Sequence, residues 1–105
     1  MWVAFGNTII MAEGDFGFEL PFTIEDTNVS AIDSIKFVFK DRINGTTILE
    51  KDLTFTGNAS AIIFTEAESA LFPVGKYVFR ADWYNNGLFM CNVIPIGTFK
   101  VIEKA

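Results

Sequence analysis

Carboxylates are the only side chains in this sequence numerous enough to suggest acid–base chemistry. The chain has no histidine, which removes the commonest general base and the commonest metal ligand. Its acids gather twice near turns, as Glu13 with Asp15 and as Glu25 with Asp26. A glycosidase needs two carboxylates about 5–9.5 Å apart in a cleft, whereas acids at strand ends and turns are typically solvated. We therefore expect no enzymatic activity and no cofactor.

The same acids are the candidates for a metal site. Calcium prefers oxygen ligands supplied by loops, but no EF-hand or similar spacing is present, so a solvated loop is the expectation. The single cysteine, Cys91, excludes an internal disulfide and a cysteine-based zinc site. Because Cys91 lies in an apolar run, the sequence predicts a buried, unreactive thiol.

Charge and hydropathy restrict the possible partners. The formal net charge is −5, with eight scattered Lys and Arg residues, whereas nucleic-acid binding needs clustered cations. No apolar run reaches transmembrane length, and the N-terminus lacks the basic region of a signal peptide. We expect neither a nucleic-acid nor a membrane partner, and a cytoplasmic origin.

Aromatic side chains raise the possibility of carbohydrate binding, since sugars stack on exposed rings. Trp83 shares the parity of Tyr77 and Phe79 along one predicted strand, which favours a core position. Tyr84 has the opposite parity and is predicted to be exposed. Trp2 has no repeating pattern around it and is a candidate for packing against a neighbouring chain.

Alternation with a period of two dominates the chain and predicts β-strands. The clearest example has apolar residues at every second position from Phe16 to Ile24. Turn signals at Asn44-Gly45 and Asn86-Gly87 separate further strands. One predicted strand starts at Leu88, is interrupted near Pro95–Gly97 and resumes to Ile102. Residues 1–105 thus read as one all-β domain, an immunoglobulin-like β-sandwich of seven or eight antiparallel strands.

A short helical crossover and a tyrosine corner are predicted in the segment from Thr65 to Tyr77. Thr65 and Glu68 have the spacing of a capping box. The tyrosine corner itself, which pins the crossover between the sheets of an immunoglobulin-like sandwich, comprises four residues: Leu71, Pro73, Gly75 and Tyr77. Leu71 is expected to fill the core, and the Tyr77 hydroxyl to bond to backbone near Glu68–Pro73.

The run from Leu88 to Ile96 contains no charge and is apolar on both parities. A strand with one solvated face should alternate, so both faces of this strand are expected to be covered. Coverage by another protein subunit is the preferred explanation, and shielding by the chain's own loops is the alternative. The candidate interface residues are Trp2, Phe5, Tyr84, Leu88, Phe89 and Met90.

The order of these signals resembles a known family. Glu13-Gly14-Asp15 precedes an alternating strand, Ile35–Lys40 forms another, and Thr65–Glu68, Gly75-Lys76-Tyr77 and Gly97–Val101 follow. This pattern is similar to the small immunoglobulin-like domains of bacteriophage and prophage tail or baseplate proteins, including the N-terminal domain of upper baseplate proteins. The resemblance implies a structural component of a virion, in a homo-oligomer or bound to other tail proteins. A carbohydrate- or surface-binding module is the alternative.

Overall fold

The computed structural model describes residues 2–5, 7–23 and 33–104, with only the backbone path given for 2–5. Over these residues the chain forms strands and one four-residue helix, so the protein is all-β as predicted. The elements are β1 (Trp2–Phe5), β2 (Thr8–Ala12), β3 (Glu19–Thr23), β4 (Asp33–Lys40), β5 (Thr47–Thr54), β6 (Ala59–Ile63), α1 (Glu66–Ser69), β7 (Gly75–Asn85) and β8 (Leu88–Ile102).

Six strands form one mixed sheet in the order β1-β2-β8-β7-β4-β5, and β3 pairs with β6 in a second sheet. The pairing of β2 with β8 is parallel, from Thr8 opposite Thr98 to Ala12 opposite Ile102. The prediction of antiparallel strands throughout is therefore wrong at this pair. Hairpins force antiparallel neighbours, but β2 and β8 are joined through most of the chain, and a connection of that length permits parallel pairing.

Phenylalanine rings dominate the core, which lies between the two sheets. Phe39 is fully buried and contacts Phe64, Phe72 and Phe99 edge to face, with ring centroids 5.2–5.7 Å apart. Such edge-on pairs add roughly 0.5–1.5 kcal/mol each beyond area burial. Phe22 of β3 meets Phe37 of β4 at 5.6 Å, so the two-stranded sheet packs against the six-stranded one.

The turns form where the sequence predicts them. Asn44 and Asn86 have positive φ angles of 59° and 49°, and Gly87 has 79°. Because Asn85 pairs with Leu88, Asn86 and Gly87 form the two-residue turn of a tight hairpin, and positive φ at both positions is what a type I′ turn requires. The β7–β8 hairpin is thus specified locally by its turn residues.

Strand β3 is shorter than the alternating pattern predicts. It begins at Glu19, and Phe16 and Phe18 precede it as exposed residues. Gly17 between them has a φ of 78°, and its amide bonds to the Phe64 carbonyl at 2.9 Å. This conformation is incompatible with a strand, so the alternation of Phe16 and Phe18 does not continue into the sheet. Ile24 lies outside the described residues.

Candidate interaction surface

The crossover from β6 to β7 contains the predicted capping box. The Glu68 amide donates to the Thr65 hydroxyl at 3.2 Å, and the Thr65 amide donates to the Glu68 carboxylate at 2.9 Å. Further along the chain, the Tyr77 hydroxyl donates to the Pro73 carbonyl oxygen at 2.6 Å. The hydrogen bond expected of Tyr77 is therefore present, and Gly75 opens β7 beside it.

Leu71 does not fill the core, contrary to the prediction. Its side chain is 47% exposed, and the neighbouring Phe72 is 1% exposed. The Phe72 amide bonds to the Ser69 carbonyl at 3.1 Å, so the helical turn of α1 continues past its last residue. Residues three apart share a helical face. Phe72 therefore follows the buried Ser69 into the core, and Leu71 turns to the surface.

Trp83 is half-buried, whereas the parity of its strand predicts a core position. Its indole nitrogen donates to the Asp33 carboxylate at 3.1 Å, and its ring lies 5.9 Å from that of Phe55. Phe79 and Ala81 are buried as their alternation predicts. Trp83 lies near the end of β7, where its polar atom has a partner and part of the ring still meets solvent.

Glu13 and Asp15, the candidate acidic ligands within the described residues, have separate partners. Asp15 pairs with Lys104 at 3.2 Å, and a Glu13 carboxylate oxygen accepts the Val74 amide at 3.3 Å. Glu25 and Asp26 lie outside the described residues. Within the ranges that the structure covers, no group of three His, Cys, Asp or Glu side chains is arranged to hold a metal ion.

Strand β8 is continuous across Pro95–Gly97, where the sequence predicts an interruption. Its pairing with β7 shifts register three times, between Phe79 and Ala81, between Ala81 and Asp82, and between Trp83 and Tyr84. Each shift places one extra residue in β8, as in a β-bulge, which reverses the side-chain alternation beyond it. Three reversals within the hairpin explain why the Leu88–Ile96 run is apolar on both parities.

Most of this run is exposed and is not covered by the described part of its own chain, although Ile94 is half-buried against the core. We call its large exposed apolar side chains the hairpin surface; they are Leu88, Phe89, Met90, Val93 and Ile96, from 38% exposed at Val93 to 69% at Leu88. Cys91 is also exposed, so the prediction of a buried thiol is wrong. The bulges account for the error, because they turn apolar residues of both parities outward.

Tyr84 is half-buried at the edge of this surface, less exposed than predicted. Its ring meets Phe89 edge to face with centroids 5.8 Å apart, and the Lys36 ammonium lies 5.3 Å from its centroid. The structure therefore brings Tyr84, Leu88, Phe89 and Met90 together. The side chains of Trp2 and Phe5, the other two candidate interface residues, lie outside what the structure describes.

The outer edge of the hairpin lacks the charged residues that the opposite edge of the sheet carries. Strand β2 pairs with β8 only from Thr98 to Ile102, so among the described strands nothing pairs with the outer edge of the Leu88–Ile96 run. At the other edge, β5 carries Glu50, Lys51 and Asp52, and charged side chains prevent edge-to-edge association. The β8 edge carries no such charge.

Polar contacts hold the hairpin to the sheet. The buried Asp82 accepts hydrogen bonds from Asn92 at 2.6 Å and from Arg80 at 2.9 Å. Asp33, also buried, accepts from Asn85 at 2.7 Å. Buried carboxylates need such donors because desolvation of an unpaired charge is costly. These contacts fix the backbone of the hairpin and leave its apolar side chains available to a partner.

Comparisons with family models, with curated proteins and with solved structures find no match. The part of the chain that the structure describes contains no helix with the length and apolar character needed to span a bilayer.

Proposed function

We propose that this chain is an immunoglobulin-like β-sandwich that acts as a structural or interaction protein, docking through its hairpin surface. The strand arrangement supports the fold assignment. The run β8-β7-β4-β5 follows the G-F-C-C′ order of variable-type immunoglobulin sheets, and β3–β6 corresponds to strands B and E of the facing sheet. The hydrogen bond from Tyr77 to Pro73 and the helical crossover before it add to this correspondence.

The hairpin surface is the observation that carries the functional proposal. Five large apolar side chains are 38–69% exposed on one uncharged segment, so burying what remains exposed contributes a fraction of the roughly 1.5–3 kcal/mol for full burial of each side chain. Contiguous exposed apolar patches of this kind mark interaction sites. Docking proceeds mainly by side-chain packing, because the three bulges make the outer edge of β8 too irregular for a regular strand ladder. No catalytic role is proposed.

The setting that we propose is a prophage tail or baseplate, in which copies of this chain or neighbouring tail proteins cover the hairpin surface. The resemblance to tail and baseplate domains supports this setting, and its segments fall on defined elements: Ile35–Lys40 in β4 and Gly97–Val101 in β8. Gene neighbourhood tests it directly. Flanking tail, tape-measure or lysis genes support the proposal, and a neighbourhood without virion genes overturns the setting.

The docking experiment compares two substitutions that each replace an exposed apolar residue with glutamate. Met90→Glu places a charge at a hairpin residue that is 60% exposed, and Leu71→Glu places the same charge at a residue outside the hairpin surface that is 47% exposed. Light scattering at micromolar concentration should show association of the wild type and of Leu71→Glu, and its loss in Met90→Glu. Circular dichroism should show that both variants remain folded.

A specific interface should bury more than about 1,200 Å² in total. If the wild type is monomeric alone, the same three proteins are tested against the products of the flanking genes. A wild type that neither self-associates nor binds them overturns the docking proposal, as does a Met90→Glu variant that associates normally.

Carbohydrate binding is the alternative function, and the exposed Phe89 beside Tyr84 is the feature that favours it. The Lys36 ammonium near the Tyr84 ring leaves less of that ring free for a sugar. A glycan screen of the wild type and of Tyr84→Ala distinguishes the two functions. If the wild type binds a saccharide, Tyr84→Ala does not, and the wild type shows no association with protein, carbohydrate binding replaces the docking proposal.

A further inference from the structure

A groove lies on the outer face of the six-stranded sheet, opposite the core. Val38 faces Arg80, and Lys40 faces Val78, across the β4–β7 ladder. Ile43 in the β4–β5 turn and Ile96 at the β8 bulge form the walls of a groove over these four residues, with a volume of about 230 Å³. The groove shares only its Pro95–Ile96 rim with the hairpin run.

Two cations line this groove, and its other lining residues are apolar except for Asn44. Lys40 is half-buried and has no ion-pair partner within the described part of the chain. Arg80 donates to Asp82 through Nε at 2.9 Å, and its two terminal amino groups make no further hydrogen bond within the described residues. Asp82 pairs with Arg80, and the neighbouring acids Glu50 and Asp41 have Lys36 and Arg42 as ion-pair partners. Lys40 therefore gives the groove a local positive charge in a chain of net charge −5.

We propose that this groove binds a carboxylate-bearing apolar segment of a partner protein. The carboxylate would be held by Lys40 and Arg80 through charge-assisted hydrogen bonds, and an adjacent apolar side chain would contact Val78, Ile43 and Ile96. A protein segment is favoured over a free small molecule because about 230 Å³ is below the roughly 300–1,000 Å³ of small-molecule sites. This inference goes beyond the hairpin proposal and holds whether or not the hairpin surface docks.

Three blocked tetrapeptides probe the groove by nuclear magnetic resonance titration of the ¹⁵N-labelled protein. One alternates leucine with glutamate, one alternates leucine with lysine, and one alternates serine with glutamate. At millimolar concentration, the leucine–glutamate peptide should change the chemical shifts of the backbone amide signals of β4 and β7 around Lys40 and Arg80. The other two peptides, which lack the negative charge or the apolar group, should bind at least severalfold more weakly.

Substitutions then assign the binding to these cations. Lys40→Gln should weaken binding of the leucine–glutamate peptide about threefold to tenfold, the range for a partly exposed charged contact. Lys100→Gln removes an equal charge from an exposed position on β8 and should leave the affinity unchanged. Met90→Glu should also leave it unchanged, which separates this groove from the hairpin surface.

Equal binding of the leucine–lysine peptide would overturn the proposal, because charge recognition would then be absent. So would an unchanged affinity in Lys40→Gln, or amide shifts confined to Leu88–Met90. In any of these cases the docking proposal for the hairpin surface keeps its own separate test.

Discussion

The Tyr77 hydroxyl donates a 2.6 Å hydrogen bond to the carbonyl oxygen of Pro73, four residues earlier in the chain. The Tyr77 ring also packs edge to face on Phe72, with centroids 5.1 Å apart. One side chain thus links the start of β7 to both the backbone and the core residue of the crossover. Removing only the hydroxyl therefore separates the contribution of the hydrogen bond to Pro73 from that of the ring packing on Phe72.

Tyr77→Phe should lower the free energy of unfolding by about 0.5–1.5 kcal/mol, the usual net value of one hydrogen bond. The ring contacts with Phe72 and Phe99 remain, so the fold should be kept. Urea denaturation followed by circular dichroism at pH 7 measures the difference. A variant as stable as the wild type would contradict a role for this bond.

Alkaline pH should remove the advantage of the wild type over Tyr77→Phe. Burial, together with the nearby Glu13 carboxylate, raises the pKa of Tyr77 above its usual 10.0. A raised pKa means that the neutral phenol stabilises the fold fully below the unfolded-state value, and that this contribution is lost as pH rises through the folded-state value. Paired urea denaturation curves at pH 7 and near pH 11 should show the gap narrowing, and a constant gap would contradict this assignment.

Glu68→Gln should destabilise the crossover by about 1–2 kcal/mol, because a charge-assisted hydrogen bond is lost. The Lys51 ammonium lies 2.7 Å from the Glu68 carboxylate, and both side chains are mostly buried. Glu50→Gln is the matched control: its carboxylate is 4.0 Å from Lys36 and more than half exposed, so its loss should change stability by less than about 0.5 kcal/mol. If both variants lose the same stability, the buried Glu68–Lys51 pair is no stronger than the exposed Glu50–Lys36 pair.

Lowering the pH should remove the stabilisation that the Glu68–Lys51 ion pair provides. Burial raises the pKa of Glu68, but hydrogen bonds from Lys51 and Thr65 outweigh it, and the net pKa is lowered from 4.5. A lowered pKa stabilises the fold above the unfolded-state value, and the contribution disappears as pH falls through the folded-state value. The difference between wild type and Glu68→Gln should therefore be constant near neutrality and shrink below about pH 4.5; thermal denaturation across this range tests it.

Gly97→Ala should destabilise the protein by roughly 1–3 kcal/mol, the cost of overpacking a well-filled site. A Cβ at this buried position would overlap the Phe79 ring and lie 2.9 Å from the Asn7 carbonyl oxygen. Gly75→Ala is the control, since its Cβ would meet nothing closer than the Tyr77 hydroxyl at 3.7 Å, and its effect should stay within about 1 kcal/mol. Thermal denaturation should show a larger fall in melting temperature for Gly97→Ala than for Gly75→Ala.

Calcium and chelators should leave the melting temperature unchanged. Among the acidic residues discussed as ligands, Glu13 and Asp15 already contact Val74 and Lys104, and separate partners of this kind do not form a cation site. Differential scanning fluorimetry with calcium chloride or EDTA measures the effect. A rise of several degrees with calcium would show that the acidic loops bind metal.

The sequence by itself determined the elements that depend on neighbouring residues. Alternation predicts β4 and β7, asparagine–glycine pairs predict the turns, and the Thr65–Glu68 spacing predicts the capping box. It also predicts the hydrogen bond of Tyr77, since the spacing from Pro73 to Tyr77 sets its reach. Each of these signals acts over a few residues, so no knowledge of distant strands is needed.

Only the tertiary structure decided which apolar residues face the core and which form a surface. The continued turn after α1 selects Phe72 over Leu71, and the bulges in β8 expose both parities of the hairpin, although these residues are similarly apolar. The parallel β2–β8 pair and the groove with Lys40 and Arg80 also depend on registers between residues far apart in the chain. Strand periodicity is local, whereas register and bulges are set by packing across the sheet.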